Sequence, residues 1–192
     1  AVADSRVMHW TAVNGSLADA FATMQNRYTG KRVVGIMGAA QIDRFGNLNS
    51  TVIGDYHKPR VMFSGSGGAF VLASFVGRNI IFMQHEKRKF VRRVDYLTSP
   101  GWLDGPGQRE KIGLPRGGPS VVITNMAIMG FDPDSKMMFL KGCFPGISPR
   151  RIQGCMEFEV DASQAIEVVP PSKDDLRILR EVCDPQRLIL GV

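Results

Sequence analysis

The 192-residue sequence contains few cysteines and no CxxC pair. Cys143, Cys155 and Cys183 are odd in number and far apart, which is unlike a disulfide framework and typical of reduced thiols. No apolar run is long enough to cross a bilayer, since residues 69–76 and 121–129 have only the length of buried strands or core helices. Residues 1–6 also lack the regions of a secretory signal. We therefore expect a cytoplasmic chain without a membrane span.

Several common catalytic and nucleotide-binding motifs are also missing. No Gly-Lys-Ser/Thr of a P-loop occurs, and Phe70 stands where a dinucleotide fingerprint needs its third glycine. Ser66 is not the centre of a G-x-S-x-G elbow, because Ser64 lies two positions before it. His85-Glu86 lacks the second histidine of a zincin helix, and no pair of carboxylates has the spacing of an acid–base pair. The sequence therefore predicts no metal site and contains no convincing nucleophile.

Positive charge is present in excess, with a net charge of +6 and much of it in residues 85–93. Runs of this kind most often form a solvated or interface surface, and the alternative is a contact with an anion. No aromatic pattern of an RNA-binding motif and no zinc-finger spacing accompanies the run. We therefore expect no nucleic-acid partner.

The order of apolar runs and turn formers predicts an α/β fold, an open parallel or mixed sheet flanked by helices. Helices are predicted over 16–30, 69–76, 150–156 and 174–183. Strands are predicted over 33–37, 51–53, 61–64, 79–84, 121–124 and 136–140. Turn formers occupy 43–49 and 132–135, and residues 99–107 must form a loop. The length fits a single domain over 1–192.

Isolated reactive side chains are interpreted as structural. His57 is expected at the surface or in packing, and Cys143 is expected to be a small buried side chain. Methionines on predicted strands or at their edges are expected in the core, namely Met37, Met62, Met83, Met126, Met129, Met137 and Met138.

The most distinctive local feature is a glycine cluster, Gly65-Ser66-Gly67-Gly68, between a predicted strand and a predicted helix. Unhindered backbone N–H groups at the positive end of a helix can hold an anion or a developing oxyanion. The cluster is equally compatible with a tight turn that has no chemical role. By itself it does not identify a reaction.

Five segments in order carry a resemblance that spans nearly the whole chain. They are residues 38–51 (GAAQIDRFGNLNST), 53–59 (IGDYHKP), 65–69 (GSGGA), 83–88 (MQHEKR) and 95–107 (DYLTSPGWLDGPG). Together they resemble the B-type subunits of the family I CoA-transferases, the glutaconate CoA-transferases among them. Each segment alone is of modest specificity, whereas the ordered set is specific.

The resemblance implies an α/β fold whose active site lies between a B-type and an A-type subunit. It implies transfer of CoA between a short acyl-CoA and a carboxylic acid such as glutaconate, with the CoA thioester as substrate and no tightly bound cofactor. In the family, a glutamate on the B-type side becomes the covalent carrier of the acyl group and then of CoA. The glycine-rich loop maps onto Gly65, Ser66, Gly67 and Ala69, with the N–H of Gly68 as the oxyanion donor. Gln41 is implied as a neighbouring substrate contact.

The sequence departs from the family at its beginning. The family's glutamate lies in a Glu-Ser/Asn-Gly turn, and no such tripeptide occurs here. We therefore expect the chain to lack the N-terminal part that carries this nucleophile. Two alternatives stay open: a hydrolase or decarboxylase acting on CoA thioesters with the same fold, and a non-catalytic partner subunit or anion-binding module.

Overall fold

A computed structural model describes residues 14–114 and 116–188. The helices are α1 (Leu17–Gln25), α2 (Ala69–Phe75), α3 (Gln108–Lys111), α4 (Pro149–Gly154) and α5 (Lys173–Arg177), with a 3-10 turn at Gly30–Arg32 and a π-helical segment at Ile178–Cys183. The strands are β1 (Val34–Met37), β2 (Gln41–Ile42), β3 (Leu48–Asn49), β4 (Val52–Gly54), β5 (Pro59–Met62), β6 (Arg78–Phe82), β7 (Pro119–Ile123), β8 (Ala127–Phe131), β9 (Met138–Cys143) and β10 (Ile166–Glu167).

The main sheet has six strands in the order β1-β6-β7-β8-β9-β10. Strands β1, β6 and β7 run parallel, β8 is antiparallel to both of its neighbours, and β10 runs parallel to β9. A mixed sheet with helices packed on it confirms the predicted α/β class. Among the described residues, no helix has the length and apolar character needed to span a bilayer.

A row of paired side chains crosses the sheet and forms the centre of the core. Each member pairs with the next across neighbouring strands, and the row consists of Met37, Ile81, Val122, Met129 and Leu140. All five are buried, and Ala73 of α2 belongs to the same cluster. The other face is open at the edge of the sheet, where Ile36 and Phe82 are 66% and 48% exposed. Burial of the first face is the main stabilising contribution to this layer.

Two small antiparallel ribbons stand beside the carboxyl end of β1. Strand β2 pairs with β3, and β4 pairs with β5, with a register shift between Ile53 and Gly54. Between β2 and β3, Asp43 accepts hydrogen bonds from the N–H groups of Phe45 and Asn47 and from the Asn47 amide. Burial raises the pKa of Asp43, and the bonds from Asn47 and Phe45 oppose that rise. The turn formers at 43–49 therefore make a hairpin that includes β3.

The N-terminal helix is shorter than predicted. Ser16 caps it, because its side chain accepts from the Asp19 N–H while the Asp19 carboxylate accepts from the Ser16 N–H. The helix ends at Gln25 instead of continuing to Gly30, because Asn26 leaves the helical conformation. The Asn26 side-chain oxygen accepts hydrogen bonds from the N–H groups of Tyr28 and Thr29. Asn and Asp side chains commonly compete with helix in this way.

The strand predictions need several corrections. Four strands were not predicted at all, namely β2, β3, β8 and β10. Strand β9 is Met138–Cys143 instead of 136–140, because Lys136 has a left-handed backbone (φ 61°) that belongs to the preceding turn. Strand β5 is Pro59–Met62 instead of 61–64. The helix predicted over 174–183 begins as α5 but continues as the π-helical segment.

The methionine prediction is correct for part of the set. Met37, Met126, Met129 and Met138 are buried. Met62 and Met137 are 57% and 42% exposed, so the prediction that they belong to the core is wrong. Met62 lies on β5, which has no buried residue, and Met137 lies in the turn before β9.

Candidate functional site

The glycine cluster forms a turn between β5 and α2, here called the glycine turn (Gly65–Gly68). Gly65 and Gly67 have positive φ angles of 85° and 47°, a conformation that residues with a Cβ rarely adopt. Ser50 ties the turn down, because its carbonyl accepts from the Gly65 N–H at 3.1 Å and its hydroxyl donates to the Gly65 carbonyl at 3.1 Å. The turn is therefore fixed to the end of the β2–β3 ribbon.

Three consecutive backbone N–H groups of the glycine turn have no partner within the described part of the chain. They belong to Ser66, Gly67 and Gly68. The Gly65 N–H is engaged with Ser50, and the Ala69 N–H donates to the Ser66 carbonyl at 2.8 Å. Gly68 therefore keeps the free amide that an oxyanion donor needs, whereas Gly65 and Ala69 can only shape the turn. Helix α2 has seven residues, so the free amides matter more than its dipole.

A groove of about 530 Å³ opens beside the glycine turn. Gly65, Ser66 and Gly67 line it together with Phe70 and Tyr96, whereas Gly68 is not among its lining residues. No carboxylate, histidine or cysteine of the described residues lines this groove. The turn thus faces an open cleft that offers donors and apolar contacts but no nucleophile.

Gln41 lies in a neighbouring groove and is held firmly. It is 4% exposed, its carbonyl oxygen accepts from the Asn49 amide at 2.7 Å and from the Asp95 N–H at 3.0 Å, and its amide donates to the Asp95 carboxylate at 3.2 Å. Gln41 and the glycine turn line two different grooves, so the structure does not bring them to one cavity. Its predicted role as a substrate contact stays a prediction, and its observed contacts are those of a positioning residue.

The groove that Gln41 lines is large and rich in cations, and it is called the basic groove below. Its volume is about 920 Å³, and its floor includes Gly38–Ala40 directly after the carboxyl end of β1. Carboxyl ends of parallel strands are the usual place for ligands in α/β proteins. Its charged lining residues are Arg60, Arg88, Lys89, Arg93, Asp95 and Glu157. Three of the cations belong to the charge run at 85–93, whereas no sequence signal indicated Arg60.

The remaining candidates have structural surroundings. His57 is exposed and meets the Tyr56 ring edge-on at 5.5 Å. His85 is buried, stacks on Phe90 and bonds the Ile152 carbonyl at 3.1 Å, and burial lowers its pKa. Cys143 is buried, and burial raises the pKa of its thiol. In the described ranges, no three His, Cys, Asp or Glu side chains form a group that could hold a metal ion.

Comparison with known proteins gives consistent matches. The family model for Coenzyme A transferase matches residues 6–154. The B-type subunit of glutaconate CoA-transferase from Acidaminococcus fermentans is 45% identical over 170 residues, covering 87% of this chain and 64% of that protein. The cholesterol ring-cleaving hydrolase IpdB subunit of Mycobacterium tuberculosis is 32% identical over 170 residues, covering 83% of this chain and 63% of that protein. The alignments thus span less than two thirds of the length of either relative.

The fold agrees with a solved structure of the same kind. The crystal structure of glutaconate coenzyme A-transferase from Acidaminococcus fermentans matches with a TM-score of 0.91 and 40% identity, covering 96% of this chain and 72% of the matched chain.

Proposed function

Because the chain belongs to the coenzyme A transferase family, we propose that it is part of a B-type subunit that transfers CoA between a short acyl-CoA and a carboxylic acid. The acid is of the dicarboxylic kind, such as glutaconate, because that substrate is named for the relative at 45% identity. The CoA thioester is a substrate, and the partner is an A-type subunit. Three unpaired cysteines support a reducing, cytoplasmic location.

The observation that carries the proposal is the row of free amides in the glycine turn. A carboxylate that attacks a thioester creates a negatively charged tetrahedral oxygen, and donors fixed in advance stabilise that charge best. Among the described residues, the N–H groups of Ser66, Gly67 and Gly68 have no partner, and they belong to a turn that Ser50 anchors. The Gly68 amide is assigned as the oxyanion donor, and Ser66 and Gly67 form the wall beside it.

The reaction proceeds in covalent steps on a glutamate from outside this sequence. Its carboxylate attacks the acyl carbonyl, the carbonyl electrons move to the oxygen held by the turn, and CoA leaves as a thiolate. The thiolate attacks the glutamyl carbonyl of the anhydride, which frees the first acid and leaves a glutamyl-CoA thioester. The second acid attacks that thioester, and the same steps in reverse give its CoA ester. No carboxylate of the described residues lines the groove beside the glycine turn, which agrees with an external nucleophile.

The test is to co-express the native gene that contains this sequence with the neighbouring open reading frame. The purified complex is assayed for CoA transfer from acetyl-CoA to a panel of dicarboxylates, with monocarboxylates as controls. We expect transfer with ping-pong kinetics. Absence of a copurifying subunit together with absence of CoA binding contradicts the proposal and favours a non-catalytic module.

A second reaction, hydrolysis of the CoA thioester, is the alternative to transfer. The relative at 32% identity is named a ring-cleaving hydrolase, so water is a reactant for a member of this family, although the bond that its name describes belongs to a ring. In the alternative proposed for this chain, water takes the place of the acceptor acid at the same turn. The same assay separates the two reactions. Release of free CoA that does not depend on any acceptor acid supports the hydrolase, and formation of a new CoA ester supports the transferase.

A further inference from the structure

The basic groove carries more positive than negative charge around a space large enough for a substrate group. Four cations line it against the two carboxylates Asp95 and Glu157. Asp95 is already engaged, since it accepts from the Gln41 amide at 3.2 Å and from the Gly54 N–H at 2.8 Å. These donors are neutral, so the lining keeps its formal excess of two positive charges, four cations against two carboxylates.

The four cations are not equivalent. Arg88 and Lys89 share the carboxylate of Glu86, at 2.6 Å and 3.2 Å. The side chains of Arg60 and Arg93 form no ion pair or hydrogen bond with any residue that the structure describes. The two guanidinium groups are therefore available to a ligand, while Arg88 and Lys89 are largely occupied.

The side chain of Arg60 passes close to Gly54. A Cβ on Gly54 would stand 3.4 Å from the Arg60 Nε and 3.6 Å from its Cγ, so the glycine leaves room for the arginine stem. The Gly54 N–H is bonded to Asp95, another residue of the groove lining. Arg60 itself is exposed, so its guanidinium is open to a planar anion that enters the groove.

The basic groove also adjoins the glycine turn. Ser64 lines the groove and directly precedes the turn, and Ser50 lines the groove while it bonds the Gly65 carbonyl. The Ser64 hydroxyl at this boundary can donate to the same ligand, whereas the Ser50 hydroxyl already donates its proton to Gly65. A substrate whose reacting carbonyl meets the turn can therefore extend a charged end into the groove.

We propose that Arg60 and Arg93 bind an anionic end of the substrate, a carboxylate or a phosphate, in the basic groove. The inference rests on the proposed function, because it assigns a place to a charged part of the same substrates. Both anions accept paired hydrogen bonds from a guanidinium, which gives orientation as well as affinity. The two sources are the distal carboxylate of a dicarboxylic acid and the phosphates of CoA.

Calorimetric titration of the purified co-expressed complex distinguishes the sources without an activity assay. The ligands are CoA, 3′-dephospho-CoA, glutarate and butyrate, and the variants are Arg60→Gln, Arg93→Gln and the double variant. Lys87→Gln is the matched control, since Lys87 belongs to the same charge run, is exposed and does not line the groove. Circular dichroism of each variant verifies that the fold is kept.

We expect each arginine variant to raise the dissociation constant of the anion that the groove binds about tenfold. The control Lys87→Gln should leave that dissociation constant unchanged. Loss confined to glutarate assigns the groove to the carboxylate. If the variants lose affinity for CoA, and the wild type already binds 3′-dephospho-CoA as weakly as the variants bind CoA, the groove binds the 3′-phosphate. If the variants lose the same affinity for CoA and for 3′-dephospho-CoA, the groove binds the pyrophosphate. Unchanged affinities for all ligands, or no binding by the wild type, overturn the proposal. CoA transfer by the co-expressed complex would still stand in that case.

Discussion

Phe21 of α1 lies so close to Gly68 that a Cβ on the glycine would stand 3.0 Å from the Phe21 Cε1 and 3.4 Å from its Cζ. Few real contacts of a Cβ are as short as the first of these, so any side chain at Gly68 must displace the ring. The residue that supplies the proposed oxyanion amide is therefore also a packing position. A substitution there changes the fold and the chemistry together.

The first prediction separates these two effects. Gly68→Val should lower both thermal stability and CoA transfer, because the valine displaces Phe21 and obstructs the amide. Adding Phe21→Ala should restore much of the stability, because it removes the clashing ring, and transfer should stay at least 100-fold reduced, on the order of one lost oxyanion donor. Denaturation midpoints and transfer rates are measured on the wild type and on both variants. Recovery of transfer together with stability would show that Gly68 acts only through packing.

The second prediction concerns Arg109, which is 2% exposed and has no ion-pair partner among the described residues. It donates to the carbonyls of Pro100, Gly101, Ala73 and Arg116. Burial lowers its pKa to about 10.

Arg109→Met should cost about 3 kcal/mol in the free energy of unfolding, because the buried carbonyls lose a charged donor. Urea denaturation measures the cost. Lys111→Met, an exposed change on the same helix, is the control and should cost less than about 0.5 kcal/mol. Equal losses of unfolding free energy in the two variants would contradict a stabilising role of the hydrogen bonds from Arg109.

The third prediction is a pH dependence that arises from His85. Its Nε2 must carry the proton, since the Ile152 carbonyl only accepts, and its Nδ1 has no partner among the described residues. Burial lowers the pKa of this histidine below 6.5, so below that pH the unfolded chain binds a proton that the folded chain does not. Stability due to His85 is therefore complete above pH 6.5 and is lost as the pH falls.

Urea titrations between about pH 5 and pH 7 test this dependence. The wild type should lose up to about 1.4 kcal/mol per pH unit through this group, and His85→Gln should lose less. His57→Gln, which changes an exposed histidine, should keep the wild-type slope. Identical slopes for all three proteins would rule out His85 as the source.

The fourth prediction concerns Gln41 as a positioning residue. Gln41→Leu should lower the free energy of unfolding by about 2 kcal/mol, because the buried Asn49 amide and the Asp95 N–H lose their acceptor. Gln41→Glu keeps an acceptor but places a second carboxylate beside Asp95, so its stability should increase as the pH falls. Gln84→Leu at an exposed position is the control. A stable Gln41→Leu protein with weakened substrate binding would instead support direct contact.

The sequence predicted the elements around the glycine turn because their signals are local. The apolar segment after Gly68 is α2 within one residue, and the next apolar run is β6, whereas β5 before the turn begins two residues earlier than predicted. The glycine turn itself was located by composition alone. Its left-handed angles at Gly65 and Gly67 are the physical reason for the glycines, and both positions have free space for a Cβ.

The elements that were missed depend on distant partners. Strand β8 contains alanine, glycine and methionine, which have weak strand preference, and pairing with β7 and β9 on both sides stabilises it. The separation of Gln41 from the glycine turn was equally invisible. It follows from hydrogen bonds to Asn49 and Asp95, residues 8 and 54 positions away.

The left-handed glycines also determine which sequences this turn can accept. At Gly65 and Gly67 the constraint is the positive φ angle and not the available space. Asparagine and aspartate are therefore the substitutes that a saturation library should retain. At Gly68 the φ angle is an ordinary −83° and the constraint is the aromatic ring, so a library should return glycine almost alone unless residue 21 varies with it. Three neighbouring glycines thus tolerate different residues for different reasons, and deep mutational scanning can tell those reasons apart.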